Sequence, residues 1–329
     1  MNLNNNINCR LPNTFSSRQP KALTDIANEA RNLILNQHKK GYEVVMTLKN
    51  HFFFSVFFVS FVVPIFLRDY YINRARMITK NKIKLISSLN QKKFRDDNGL
   101  FVAEGTKLIT DMTATYKIRW LFATSEWAEN YPTINGLTPE IVDQDELKKI
   151  SNMKTPQGVL AVFEKPVFTW GNNDLRNSLT LALDDVQDPG NLGTIIRIAD
   201  WFGIRHIFCS EYTADAFGPK TVQATMGALS RVQVHYVNMV GFLTEAARLV
   251  PVYGTFMDGQ NVYNEKLTRE GVVVMGNEGN GISPDVEKLV TSRLLIPNFP
   301  AGEPTSESLN VGVATALVCA EFRRRMVGA

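Results

Sequence analysis

Residues 188–203 read Asp-Pro-Gly-Asn-Leu-Gly-Thr-Ile-Ile-Arg-Ile-Ala-Asp-Trp-Phe-Gly. An apolar run over 179–183 precedes them and has the length and composition of a buried strand. From 191 to 202 the apolar residues fall at helical spacing. A strand that feeds a helix through a glycine-bearing turn leaves backbone N–H groups free at the helix start, where they and the dipole can hold an anion. The dinucleotide fingerprint is the rival reading, and its spacing fails. Gly190 and Gly193 do not make G-x-G-x-x-G, and no acidic residue ends the next strand as a ribose ligand. Arg197 is a charge set among Ile195, Ile196, Ile198 and Ala199, so it is either paired, with Asp184 or Asp185 in reach, or functional.

The same alternation continues downstream. Strands are predicted over 206–209, 232–236, 252–256, 272–275 and 294–296, with helical segments between them and a last helix over about 309–325. Six strands in this pattern give a largely parallel α/β sheet, whose ligands gather at the carboxyl ends of the strands. Arg323, Arg324 and Arg325 suit a helix C-terminus. Two further motifs follow strands. Residues 272–283, Val-Val-Val-Met-Gly-Asn-Glu-Gly-Asn-Gly-Ile-Ser, run from apolar strand into a glycine-rich loop with Glu278 at its centre. Such glycines permit positive φ and close approach to a ligand. The plain alternative is a tight loop ending at Ser283-Pro284, an ordinary helix start. Residues 306–315, Ser-Glu-Ser-Leu-Asn-Val-Gly-Val-Ala-Thr, place Ser308 and Asn310 at another helix start, where capping alone accounts for one of them.

Upstream, 80–95 carries six basic residues and no acid, with Ile83, Ile86 and Leu89 near helical spacing; a solvated helix face is the plain reading. Strands follow over 101–103, 118–123 and 158–163. Helices follow over 105–114 and 143–152, the latter with Asp143 as N-cap and Glu146 completing a capping box. A first α/β domain is therefore expected over 77–165, a linker rich in Pro, Gly and Asn over 166–178, and a second domain over 179–329.

The formal net charge of +4 suggests a nucleic-acid partner, but its distribution removes that inference. Residues 1–76 hold 10 basic and 4 acidic residues, and the other 253 hold 26 and 28. Any RNA affinity must come from local patches. Cys9, Cys209 and Cys319 form no C-x-x-C pair and have no histidine at ligand spacing; Cys209 and Cys319 read as core residues, and no metal site is expected. In the extension, 52–67 is strongly apolar, but its 16 residues, which include Ser55, Ser60 and Pro64, fall just short of a membrane span. A membrane anchor, a hairpin and translated upstream sequence ahead of a start at Met77 compete there. The last is expected, because soluble patterning begins abruptly after Met77.

Taken together, the Asn-x-Gly…Arg segment, the Gly-Asn-Glu-Gly-x-Gly loop and the Ser-Leu-Asn segment resemble the three motifs of SpoU/TrmH-type RNA 2′-O-ribose methyltransferases of the SPOUT superfamily. The segment from Phe94-Arg95 through Gly99-Leu-Phe-Val-Ala-Glu-Gly-Thr-Lys107 resembles the start of the family's ribosomal-protein-like RNA-binding domain. The resemblance implies a C-terminal trefoil knot, a homodimer, S-adenosyl-L-methionine as cofactor and structured RNA, rRNA before tRNA, as substrate. A cytoplasmic location goes with it, and DNA, which lacks the 2′-hydroxyl, is excluded as substrate. It also implies site roles: Asn191, Arg197, Glu278, Ser308 and Asn310 match the family's catalytic positions. Gly276, Ile296 and Leu309, with Met226 nearby, match its cofactor-binding positions. Asn298 stands where the family often has Met, and the loop after it is long.

Methyl transfer from a sulfonium is an in-line displacement in which positioning supplies most of the benefit. The ribose hydroxyl must lose its proton as it attacks. His206 and His235 lie outside all three motifs, which leaves Arg197 as the residue to contact the substrate phosphate and lower the hydroxyl's pKa. A non-catalytic RNA-binding protein on the same fold is the alternative, and the intact Asn191, Arg197, Glu278 and Asn310 argue against it. A hydrolase would need a G-x-S-x-G elbow, which is absent.

Overall fold

The computed structural model describes residues 78–300, 303 and 308–326, so the readings made for 1–76 lie outside the described residues. Two sheets organise the chain. The first is reached through α1 (Lys80–Ser88) and α2 (Lys92–Asn98), then β1 (Leu100–Glu104), α3 (Thr106–Met112), β2 (Ile118–Ala123), α4 (Ser125–Asn130), β3 (Glu140–Ile141), α5 (Gln144–Ile150) and β4 (Val159–Glu164). Its order is β1-β4-β2-β3, with β4 antiparallel to both neighbours and β3 parallel to β2. The predicted capping box is present: the Asp143 carboxylate accepts from the Glu146 N–H at 2.7 Å, and Glu146 accepts from the Asp143 N–H in return.

The second sheet begins after the short α6 (Asn172–Leu175). It contains β5 (Leu179–Leu183), α7 (Pro189–Trp201), β6 (His206–Cys209), α8 (Pro219–Thr225), β7 (Gln233–Tyr236), α9 (Met239–Ala246), β8 (Val252–Asn261), β9 (Gly271–Met275), α10 (Pro284–Glu287), β10 (Ser292–Leu295) and α11 (Val311–Arg324). The order is β10-β8-β9-β5-β6-β7, and every pairing is parallel. β5 and β9 are buried at every position, as their unbroken apolar runs require of strands covered on both faces. From β5 the chain moves outward through β6 to β7, then crosses back to β8 and β9 on β5's other side. The crevice between the carboxyl ends of β5 and β9 is therefore the topological switch point, where open α/β sheets bind ligands.

Several boundaries differ from the sequence reading for identifiable reasons. α7 starts two residues early because Asp188 is its N-cap and Pro189 occupies the first helical position, where a missing N–H costs nothing. The connection over 166–178 is more ordered than its composition suggests: Leu175 is fully buried, and Trp170 and Phe168 pack on the cores. The two sheets also share one core, in which Phe217 packs against Phe101 at 4.9 Å and Tyr116 at 6.3 Å between centroids. Cys209 and Cys319 are buried free thiols, as expected of core residues. No helix among the described residues is long and apolar enough to cross a membrane.

Candidate active site at the switch point

Each of the three motifs delivers a polar side chain to the crevice. In the first, the Asp188 carboxylate holds the Asn191 N–H at 2.8 Å and fixes the first turn of α7. That bond, with help from Lys220 at 3.4 Å, keeps the Asp188 carboxyl below its ordinary pKa. Behind it, a Cβ on Gly193 would lie 2.4 Å from the Ala224 Cβ, so only glycine lets α7 and α8 pack this closely.

In the second, the loop after β9 closes on itself. Asn277 and Gly281 exchange backbone hydrogen bonds, while the Asn277 side-chain oxygen accepts from the N–H groups of Gly279 and Asn280. A Cβ on Gly276 would sit 2.3 Å from the Gly281 carbonyl carbon, which excludes any side chain there. The Asn277 amide nitrogen donates to the Asp185 carbonyl at 2.8 Å, and Asp184, buried, accepts from the Ser283 N–H at 2.7 Å. The loop is thus pinned at both ends to the end of β5, leaving Glu278 exposed at its tip.

In the third, Asn310 caps α11, its oxygen accepting from the N–H groups of Gly312 and Val313. This fixes which way the amide faces: its nitrogen donates to the Asn191 side-chain oxygen at 2.9 Å. The Asn191 nitrogen then donates to Glu278 Oε1 at 2.9 Å. The relay Asn310–Asn191–Glu278 joins three segments far apart in sequence, and every donor in it faces an acceptor. It ends on a carboxylate whose second oxygen has no hydrogen bond among the described residues. Charge-assisted bonds of this type are the stronger ones.

Not every expected residue joins the relay. Ser308 is exposed and makes no side-chain hydrogen bond among the described residues. Arg197 is exposed too, and of its two alternatives the ion pair with Asp184 or Asp185 does not form. Those carboxylates are taken by the Ser283 N–H and the Ser210 hydroxyl. Six residues beyond Asn191, Arg197 lies about 240° further round α7, so it projects from a different face. Of the residues implied to hold cofactor, Gly276 follows β9 and Ile296 follows β10, both at the sheet's carboxyl edge, and Ile296 is half-buried. Leu309 and Met226 are apolar yet 48% and 56% exposed, and Met226 closes α8 in the left-handed conformation at φ 52°. The sequence reading missed Asp184, Asp185, Asn277 and Ser210, which hold the loops in place; two acids directly after a five-residue apolar strand were the available signal.

The chain's similarities agree with this geometry. Residues 178–320 match the SpoU rRNA Methylase family, and 80–161 match the MRM3-like substrate binding domain. The 23S rRNA (guanosine(2553)-2′-O)-methyltransferase RlmP of Bacillus subtilis is 30% identical over 246 residues, 74% of this chain and 96% of that protein. Among solved structures, an RNA methyltransferase assigned to the TrmH family from Porphyromonas gingivalis is 43% identical with a TM-score of 0.69, covering 76% of this chain and 99% of that one. An AdoMet-bound rRNA methyltransferase from Sinorhizobium meliloti is 31% identical with a TM-score of 0.65, covering 76% and 96%. With its relay seated at the switch point of the parallel sheet, the chain belongs to the SpoU rRNA methylase family.

Proposed function

We propose that the chain transfers a methyl group from S-adenosylmethionine to the ribose 2′-hydroxyl of a nucleotide in structured RNA, ribosomal before transfer RNA, in the cytoplasm. The observation that carries this reading is the Asn310–Asn191–Glu278 relay at the switch point. Relatives named as rRNA methyltransferases support the ribosomal preference. The residues present fit the cofactor. Its purine is uncharged and carries no phosphate, which suits a site of bare strand ends at Gly276 and Ile296 with the apolar Leu309 and Met226, and no dinucleotide fingerprint. When bound, it supplies an electrophilic methyl on a sulfonium.

The chain's own groups position and activate the acceptor. Glu278 is held by Asn191 through one oxygen and offers the other to a substrate hydroxyl. Arg197 contacts the phosphate beside the target ribose and lowers the 2′-hydroxyl's pKa, with Ser308 near the same groups. Residues 77–165 grip the RNA, 166–178 join them to the rest, and 179–329 house the chemistry. The trefoil knot belongs to this proposal: beyond β10 at the sheet edge the chain returns to pack α11 on α7, where the Gly312 Cα approaches Thr194 closely enough that a Cβ would lie 3.2 Å from Thr194 Cγ2.

A homodimer accounts for the placement of Arg197. Arg197 shares a stripe of α7 with Thr194 and Trp201, and Trp201 is 85% exposed. On the neighbouring α11, Val313 and Leu317 continue an exposed apolar line from Leu309. Paired across this face, Arg197 of one copy reaches the site of the other. Mixing Arg197→Ala with Glu278→Gln protein tests this, since a shared site regains up to about a quarter of wild-type methyl transfer. Recovery of none, with both variants dimeric, would place Arg197 in its own subunit's site.

A further inference from the structure

The segment after β6 is held more tightly than a surface loop needs to be. The Ser210 N–H donates to the Leu183 carbonyl at 3.0 Å, and the Thr213 hydroxyl donates to the same oxygen at 3.1 Å. The Ala214 N–H reaches the Val186 carbonyl, and the Ala216 N–H reaches the Tyr236 hydroxyl at 2.8 Å. Beyond these, Asp215 accepts from the Arg95 guanidinium at 2.6 and 2.8 Å, and Phe217 is buried against Phe101. Between these anchors Tyr212 stands 72% exposed, and its hydroxyl makes no hydrogen bond among the described residues. Isolated exposed aromatics are ordinary on protein surfaces. This one differs in where its backbone is tied.

Asp185 is the tie. Its N–H donates to the Ser210 hydroxyl at 2.9 Å, its carboxylate accepts from that hydroxyl, and its carbonyl accepts from Asn277 at 2.8 Å. A single residue in the left-handed conformation, φ 58°, thus joins the loop that carries Tyr212 to the loop that carries Glu278. Tyr212 lies two residues from one of these bonds and Glu278 lies one residue from the other. The loop is also fixed, through Arg95 and Phe101, to the part of the chain assigned to gripping RNA. A bare ring on a rigid mount between the RNA-binding part and the methylation site is preorganised to stack. Proteins read unpaired RNA bases by stacking them on such rings.

We propose that Tyr212 stacks on an unpaired base of the RNA next to the target nucleotide, and so helps to select the nucleotide that is methylated. The proposal rests on the methyltransferase reading above. It is tested with the full chain and in vitro transcribed large-subunit rRNA. The Tyr212→Ala variant should raise the RNA KM about 5- to 100-fold, the range for loss of one base–aromatic stack. At saturating RNA its kcat should stay within about twofold, with S-adenosylmethionine affinity by calorimetry unchanged. Tyr212→Phe and Tyr212→Trp should recover RNA affinity to within about threefold, because each retains a π-face. An unchanged KM in Tyr212→Ala overturns the proposal. So does a Phe variant as impaired as Ala, which would mean a hydroxyl contact, or dissociation of an oligomer on light scattering, which would mean a protein contact. RNA affinity measured without cofactor separates the two readings: a wild-type protein that binds RNA but transfers no methyl defeats the methyltransferase reading, while the Ala-to-wild-type affinity ratio still scores the stack.

Discussion

The joint between the two sheets and the crevice at the end of the parallel sheet are built from the same kinds of side chain and treat them in opposite ways. At the joint, Arg95 is 3% exposed; its guanidinium is shared between Asp215 and the Leu89 carbonyl, and Phe217, two residues beyond Asp215, packs against Phe101. At the crevice, Asn191, Glu278 and Asn310 are bonded to one another but open to solvent. A buried pair has had its hydration removed and must be satisfied within the protein. An open relay keeps free valences for a substrate. Polar groups at the joint therefore set geometry, whereas those at the crevice are available for chemistry.

The comparison breaks most readily at the joint. Removing one member of a buried pair strands the other charge, so Arg95→Met or Asp215→Leu alone should each cost roughly 3–5 kcal/mol of stability. The double variant should recover much of that loss, and urea titrations of the three proteins measure the coupling. If the single variants are nearly neutral, the joint is no more demanding than a surface contact. Asn191→Leu and Glu278→Gln should act in the reverse sense. Methyl transfer is expected to fall about 10²–10³-fold, the scale for a preorganised polar group lost from an active site, with melting temperature moved by only a few degrees. Equal losses of stability and turnover would make the relay merely structural.

A third contrast lies at the β7 edge of the parallel sheet. His235 is buried on β7 with its ring 3.1 Å from His206, and burial, then the neighbouring imidazole, push its pKa down to about 4. The native state therefore holds it neutral while the unfolded chain protonates near the ordinary histidine value of ~6.5. That stability is fully present above about pH 6.5 and is lost as the pH falls toward about 4. Melting temperatures should drop between pH 7 and pH 5, by the equivalent of about 2 kcal/mol at most, and a His235→Phe variant should flatten that slope. The smallest effect is expected at Lys82–Glu140, a 2.9 Å pair with both side chains partly exposed, where Lys82→Ala should cost less than about 1 kcal/mol.

Much of this arrangement could be read from sequence because it is locally encoded. The strands over 118–123, 179–183 and 206–209 agree with the structure residue for residue, since each is a short, mostly apolar run bounded by turn residues or a change of period. Asp143 and Glu146 announce their capping box through a spacing of three. The relay was legible only as three separate motifs, because the bonds among residues 191, 278 and 310 depend on tertiary approach. Arg95 was misread as one member of a basic run: nothing local marks a helix face that another segment, 120 residues on, will cover. For the same reason the sequence left open whether Arg197 is paired or functional. Asp184 and Asp185 were close in sequence, but the folded loops at Ser283 and Ser210 claim them first.

The most direct test of the central claim is the chemical position of the methyl group. Unmodified large-subunit rRNA, incubated with the full chain and methyl-labelled S-adenosylmethionine, is digested with alkali, which cannot cleave beside a methylated 2′-oxygen. Label should emerge in an alkali-resistant dinucleotide, and Glu278→Gln should slow its appearance about 10²–10³-fold. Label in an ordinary mononucleotide, meaning a methylated base, would contradict the assignment of the relay to a ribose hydroxyl.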